Sequence, residues 1–199
     1  MFNFTREYLV QENKLGNPFI FEKNKLINPI IFEKNMHLNK YAKLSLEFDN
    51  DAKRRSQDEA ISIHIITTKL ATNLNIIFES QICGFHGKPD YIIRLGKKLY
   101  IMVSTTRAIH KHGKFDYEEA YRLMLKKING LSICSQNLEC LVSDVVSNDF
   151  NIRPILHILA PNLDNALLCI KACKKIINLN ALFNIKIVIT ILKDLKYIS

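Results

Sequence analysis

The chain has 199 residues, of which 48% are apolar and 24% charged, the composition of a globular protein with material for one sizeable core. Its 28 basic residues against 19 acidic ones give a net charge of +9, which favours an anionic partner, nucleic acid first and acidic lipid surfaces next. A drift in composition toward Asn, Ile and Lys would produce the same charge without any partner. No apolar run approaches the roughly 18 residues that span a bilayer, so an integral membrane protein is not expected.

In chain order, the first feature is an imperfect repeat: Asn17-Pro18-Phe19-Ile20-Phe21-Glu22-Lys23-Asn24, followed by Asn28-Pro29-Ile30-Ile31-Phe32-Glu33-Lys34-Asn35. Each copy is a turn-prone Asn-Pro ahead of three apolar residues, a pattern that suits a short edge strand. Residues 1–48 thus read as an N-terminal arm, either a docking or self-association element for a protein partner or a loosely attached extension. Residues 49–199 read as one α/β domain.

Within that domain a helix is predicted from about Asp51 to Asn73, with Ile63, Ile66, Leu70 and Leu74 on its buried stripe and Glu59 four residues before Ile63 on the same stripe. Strands are predicted at Ile76 to Cys83, Tyr91 to Leu95 and Leu99 to Thr105, the last two joined by a tight turn at Gly96-Lys97-Lys98. Asp116 and Glu119 form a capping-box pair for a second helix carrying Ala120, Leu123, Met124 and Ile128 inward and ending at Asn129-Gly130. Pro154 to Ala160 reads as a buried strand, Pro161-Asn162 opens a third helix through Leu179, and Ile185 to Leu192 is a last strand. The expected fold is α/β, a mixed central sheet of about five strands flanked by helices, in the order α-β-β-β-α-β-α-β.

The five cysteines show no C-x-x-C pair and read as reduced thiols of an intracellular protein, cytoplasmic or nuclear. Cys169 and Cys173, four apart in an apolar helical pattern, fit core packing better than metal binding. His86, His110 and His112 fall in loops without a supporting Cys spacing, which suits solvated histidines better than zinc ligands. Neither a phosphate-binding Gly-x-x-x-x-Gly-Lys-Ser/Thr loop nor a Gly-x-Ser-x-Gly elbow occurs, so those enzyme classes have no support.

Gly87-Lys88-Pro89-Asp90 opens one hairpin strand, and Tyr100-Ile101-Met102-Val103-Ser104-Thr105-Thr106-Arg107 forms the next. Together with the meander, helical crossover and further strand, this resembles the core of the restriction-endonuclease-like superfamily, the PD-(D/E)xK nucleases, over residues 50–194. The resemblance implies a first acid at Asp90, a helix-borne acid at Glu59, and a second acid and a Lys two residues apart on the following strand. Alternate strand residues face the same way, so such a pair can meet one phosphate while the carboxylates hold Mg²⁺. Met102 and Ser104 occupy those two positions, and neither supplies the charge.

A relocated cation is available in Lys127, seven residues after Ala120 and so bordering the inward stripe of the second helix. Glu59, Asp90 and Lys127 are therefore the candidate catalytic residues, with Asp90 and Glu59 as ligands if the site holds Mg²⁺. Against this stands the plain reading of Asp90 as a strand cap, Glu59 as a helix acid and Lys127 as a surface cation. Arg107, Lys111 and Lys114, continued by Arg122 and Lys126, are candidate nucleic-acid contacts, or ordinary helix-surface charge.

The resemblance favours a nuclease-fold protein that binds nucleic acid, or scaffolds a complex that processes it, without cleaving it and without a cofactor. An active Mg²⁺-dependent endonuclease with a relocated Lys, and a protein-interaction domain with incidental charge, are the alternatives.

Overall fold

The computed structural model describes residues 19–20, 30–32, 38–48, 53–68, 70, 74–78, 89–96, 99–110, 113–145, 151–179 and 185–192. Its strands are β1 (Phe19–Ile20), β2 (Ile30–Phe32), β3 (Asn75–Phe78), β4 (Tyr91–Leu95), β5 (Leu99–Arg107), β6 (Asn151–Ala160) and β7 (Lys186–Leu192). Its helices are α1 (Lys40–Phe48), α2 (Lys53–Thr68), α3 (Tyr117–Val145) and α4 (Leu163–Leu179). From α2 onward the order is α-β-β-β-α-β-α-β, as expected.

Strands β3, β4 and β5 form an antiparallel meander, and β6 and β7 add to it in parallel through the crossovers α3 and α4. The sheet order is β7-β6-β5-β4-β3, with β1 pairing antiparallel and β2 parallel to β7. Both copies of the repeat thus supply short strands to β7.

Alternation along the strands divides the core between two faces. On one, Ile63 and Ile66 of α2 and Ala42 of α1 pack against Tyr91, Ile93, Ile101, Val103, Ile155 and Val188. On the other, Met124 and Ile128 of α3 and Ile170 and Cys173 of α4 pack against Leu156, Ile158, Ile187 and Ile189. The second half of α3 places Cys134 over Ile92, Met102 and Ile152. Helix α1, at the end of the expected arm, belongs to the layer of α2: Asn39 bonds the Thr67 hydroxyl at 2.8 Å, and Ala42 has no exposed surface.

The β4–β5 turn follows from Gly96, whose φ of +65° is open to a residue without Cβ, and the register Leu95↔Leu99 closes it. Pro154, inside β6, pairs with Met102 of β5 at a point where β7 has not yet joined; β7 begins at Ile155↔Lys186. A residue without N–H is tolerated where one side of the strand is unpaired.

Helix α3 corrects the expected end at Asn129-Gly130 by running on to Val145. The stripe Ala120, Met124, Ile128 continues through Leu131 and Cys134, all buried. Burying these further turns outweighs the roughly 1 kcal/mol that a mid-helix Gly costs.

A polar chain crosses the first core. The Tyr91 hydroxyl lies 2.7 Å from Ser62 Oγ, Ser62 Oγ is 2.7 Å from His157 Nδ1, and His157 Nε2 is 2.8 Å from Thr190 Oγ1. Four elements are tied together by groups that burial would otherwise penalise. Burial lowers the His157 pKa from its usual 6.5 to about 3, so the ring is neutral. Ser62 and His157 have no exposed surface, which removes them as a nucleophile pair. Among the described residues, no helix is long and apolar enough to cross a membrane.

Candidate functional site

The hairpin brings Asp90 beside the C-terminal half of β5. Its backbone N–H bonds Val103 O at 2.9 Å, which fixes the residue just ahead of β4. One carboxylate oxygen, Oδ2, accepts from the Ser104 hydroxyl at 3.2 Å and from the Thr105 N–H. Ser104 Oγ in turn accepts from Lys127 Nζ of α3 at 3.1 Å. Thus Asp90, Ser104 and Lys127 form one polarised chain, and Lys127 delivers its ammonium to the strand position where the resemblance expects a lysine.

From the other face α2 contributes Asp58. Its Oδ1 and Oδ2 each lie 2.6 Å from Arg107 Nε, and Oδ1 lies 2.6 Å from Arg107 Nη2; both side chains are 17% exposed. Burial pushes the Asp58 carboxyl above its usual range; Arg107 opposes that rise and the charge of Asp90 adds to it. The Asp90 charge is the smallest of these influences on Asp58. Glu59, the residue taken from the sequence, is 9% exposed on the inner side of α2. Its neighbour Asp58, one position earlier, carries the ion pair to Arg107, which the hydrophobic stripe did not signal.

Met102, at the position of the second acid, is fully buried among Ile92, Cys134 and Ile152. Mg²⁺ takes hard oxygen ligands, and Asp58 and Asp90 are of that type. Each is already matched by a cation of the chain, Asp58 by Arg107 directly and Asp90 by Lys127 through Ser104. Among the described residues, the only buried side-chain oxygens without a hydrogen-bond partner are Gln57 Oε1 and Thr105 Oγ1. Both neighbour the cluster in sequence: Gln57 precedes Asp58, and Thr105 follows Ser104.

The expected basic run is dispersed. Arg107 turns inward to Asp58, Arg122 pairs with Glu119 at 2.8 Å, and among the described residues Lys114 and Lys126 of the run stand exposed. Lys111, like His86 and His112, lies outside the described residues. His110 Nε2 is 4.0 Å from Glu119 Oε1. The sequence reading passed over a second basic surface on α4, where Lys171 and Lys175 stand over the rings of Tyr117 and Tyr121 at 4.9 and 5.2 Å. Its signal is a matched spacing, since both pairs are four residues apart on helices.

Next to it, an open cleft of about 750 Å³ lies between the segment Gly113–Tyr117, with Ile109 and His110, and the start of α4, where Asn162 and Lys171 line it. Burial pushes the thiol of Cys134 up to about 11 and of Cys169 up to about 12, and raises Cys173 as well, so in the protein as it stands they pack as neutral thiols. No model of a known protein family matches the chain, and no curated protein matches it either.

Proposed function

We propose that the chain is a nuclease-fold protein that binds nucleic acid without cleaving it. The order α2-β3-β4-β5-α3-β6, an antiparallel meander followed by a parallel strand, supports the resemblance to the restriction-endonuclease-like core. The observation that carries the loss of cleavage is the internal pairing of the cluster. Asp58 and Asp90 are balanced by Arg107 and Lys127, and Met102 replaces the further acid with a buried thioether, so little negative charge is left for a divalent cation.

The test is incubation of the purified protein with DNA and RNA in Mg²⁺ and in Mn²⁺, alongside a binding titration at several salt concentrations. Binding that weakens steeply with salt, with no cleavage above background, is expected. Cleavage that disappears in both Asp90→Asn and Lys127→Ala proteins would overturn it.

One specific observation favours the alternative, an active Mg²⁺-dependent endonuclease. Lys127 reaches the strand position of the missing lysine, and Gln57 and Thr105 hold uncommitted oxygens in the neighbouring sequence positions. In that case Asp58 and Asp90 would hold the ion, which would supply the polarisation of the phosphate. Lys127 would then stand as the cation beside the scissile group, and Arg107 would have to yield Asp58.

A further inference from the structure

Helices α3 and α4 follow parallel strands and both start at the C-terminal ends of those strands, so they run side by side in the same direction. Along their seam the same contact occurs twice, Lys171 over Tyr117 and Lys175 over Tyr121. Four helical residues advance about 6 Å, so one aromatic and one cation recur at a spacing close to that of successive nucleotides in an extended strand. The two rings are 6.2 Å apart between centroids and tilted by 40°, so they face neighbouring positions and do not stack on each other. Both rings are half-buried, whereas Lys171 and Lys175 are exposed, with Lys174 exposed between them.

We infer that the α3–α4 seam is the track for a single-stranded nucleic acid, bases resting on Tyr117 and Tyr121 and adjacent phosphates meeting Lys171 and Lys175. This deepens the nucleic-acid reading above and rests on it. A duplex keeps its bases stacked internally and would use the lysines alone, so paired aromatics at this spacing favour the single strand. On binding, each ammonium moves from the ring to a phosphate, and the ring face it leaves is taken by a base.

The chain contains seven Tyr and no Trp, so tyrosine emission is not masked by Trp, and the share of Tyr117 and Tyr121 is the difference between wild type and the protein with both changed to Phe. The probes are an oligo(dT) strand, an oligo(rU) strand and a duplex of the same length, titrated into the full chain. Both single strands, or one of them, should quench tyrosine emission and bind about tenfold more tightly than the duplex. Lys171→Ala with Lys175→Ala should lower the salt slope of single-strand binding by about 1.4, two phosphate contacts at about 0.7 each. Tyr117→Phe with Tyr121→Phe should retain the affinity, and the corresponding Leu pair should lose about thirtyfold or more.

Duplex binding as tight as single-strand binding, or an unchanged salt slope in the lysine variant, overturns the seam assignment and leaves the wider reading standing. A wild-type protein that binds none of the three probes overturns both. The lysine variant alters only exposed side chains, so it decides the matter even if the Leu pair fails to fold.

Discussion

Lys127 on α3 gives a hydrogen bond to the hydroxyl of Ser104 on β5 at 3.1 Å, and that hydroxyl gives its own to Asp90 at 3.2 Å. A helix thereby presents an ammonium to the strand from 23 residues further along the chain. An ammonium on the strand itself would compete with it for one place. Replacing Ser104 with Lys should therefore cost more stability in the wild-type background than in Lys127→Ala, where the second ammonium is gone. A coupling of about 1 kcal/mol between the two changes is expected in a double-mutant cycle by urea denaturation. Strictly additive effects would mean that Lys127 does not share the site.

Arg107 entered the reading as a nucleic-acid contact, and its geometry gives it a different test. Arg107→Ala leaves the partly buried Asp58 without its partner and should cost about 2 kcal/mol of stability. Burial already raises the Asp58 pKa, and removing Arg107 removes an influence that lowers it. The protonated carboxyl is then the better tolerated form, so the deficit is full at neutral pH and shrinks as pH falls through the raised Asp58 pKa. Asp58→Asn in the same chain should restore part of the loss at neutral pH. Thermal melts of the three variants at two pH values read all of this.

Met102 is part of the core. Met102→Leu keeps volume and apolarity and should cost less than about 1.5 kcal/mol. Met102→Glu, the change that would rebuild the acid of the resembled motif, places a carboxyl against Ile92, Cys134 and Ile152 and should cost 3 kcal/mol or more, on the order of an unpaired buried charge. A Glu variant as stable as wild type would show that this position opens to solvent.

His157 links stability to pH. Unfolding frees an imidazole that titrates near 6.5, while the folded ring titrates near 3, so below about 6.5 the unfolded chain binds the proton first. Stability is full above that range and falls as pH drops toward 3, by about 1.4 kcal/mol per pH unit once below the unfolded value. His64, whose pKa burial also lowers, adds in the same direction. Urea midpoints measured from pH 7 downward should slope less steeply in His157→Gln, which keeps a donor and an acceptor but does not titrate.

The hairpin was legible because Gly96 and two apolar runs bound it, and the helix starts because Asp116 and Asn162 cap the N–H groups of Glu119 and Asn165 at 3.0 and 2.8 Å. The placement of Lys127 was legible from a seven-residue step, since that returns a side chain to nearly the same face. Helix α3 misled because Gly130 signals a stop that local propensity alone would honour, and packing overrules it. The pairing of Asp58 with Arg107 was beyond reach: partners 49 residues apart carry no joint pattern in a single sequence. His157 was hidden for a similar reason, as its partners in α2 and β7 lie 95 and 33 residues away.

The strands β1 and β2 come from two copies of one short motif, yet one runs antiparallel and the other parallel to β7. The motif therefore encodes adhesion to that strand and not polarity, which is left to the path of the chain between the copies. Their partner lies near the opposite end of the described chain, Phe19 against Ile189 and Phe32 against Leu192, so these contacts close the longest loop among the described strand pairings. Without them the outer edge of β7, covered by β1 along Val188–Ile189 and by β2 along Thr190–Leu192, would offer its backbone to any extended segment nearby. The tandem motif holds two candidates for that position within the same chain, which raises their effective concentration above that of a foreign strand.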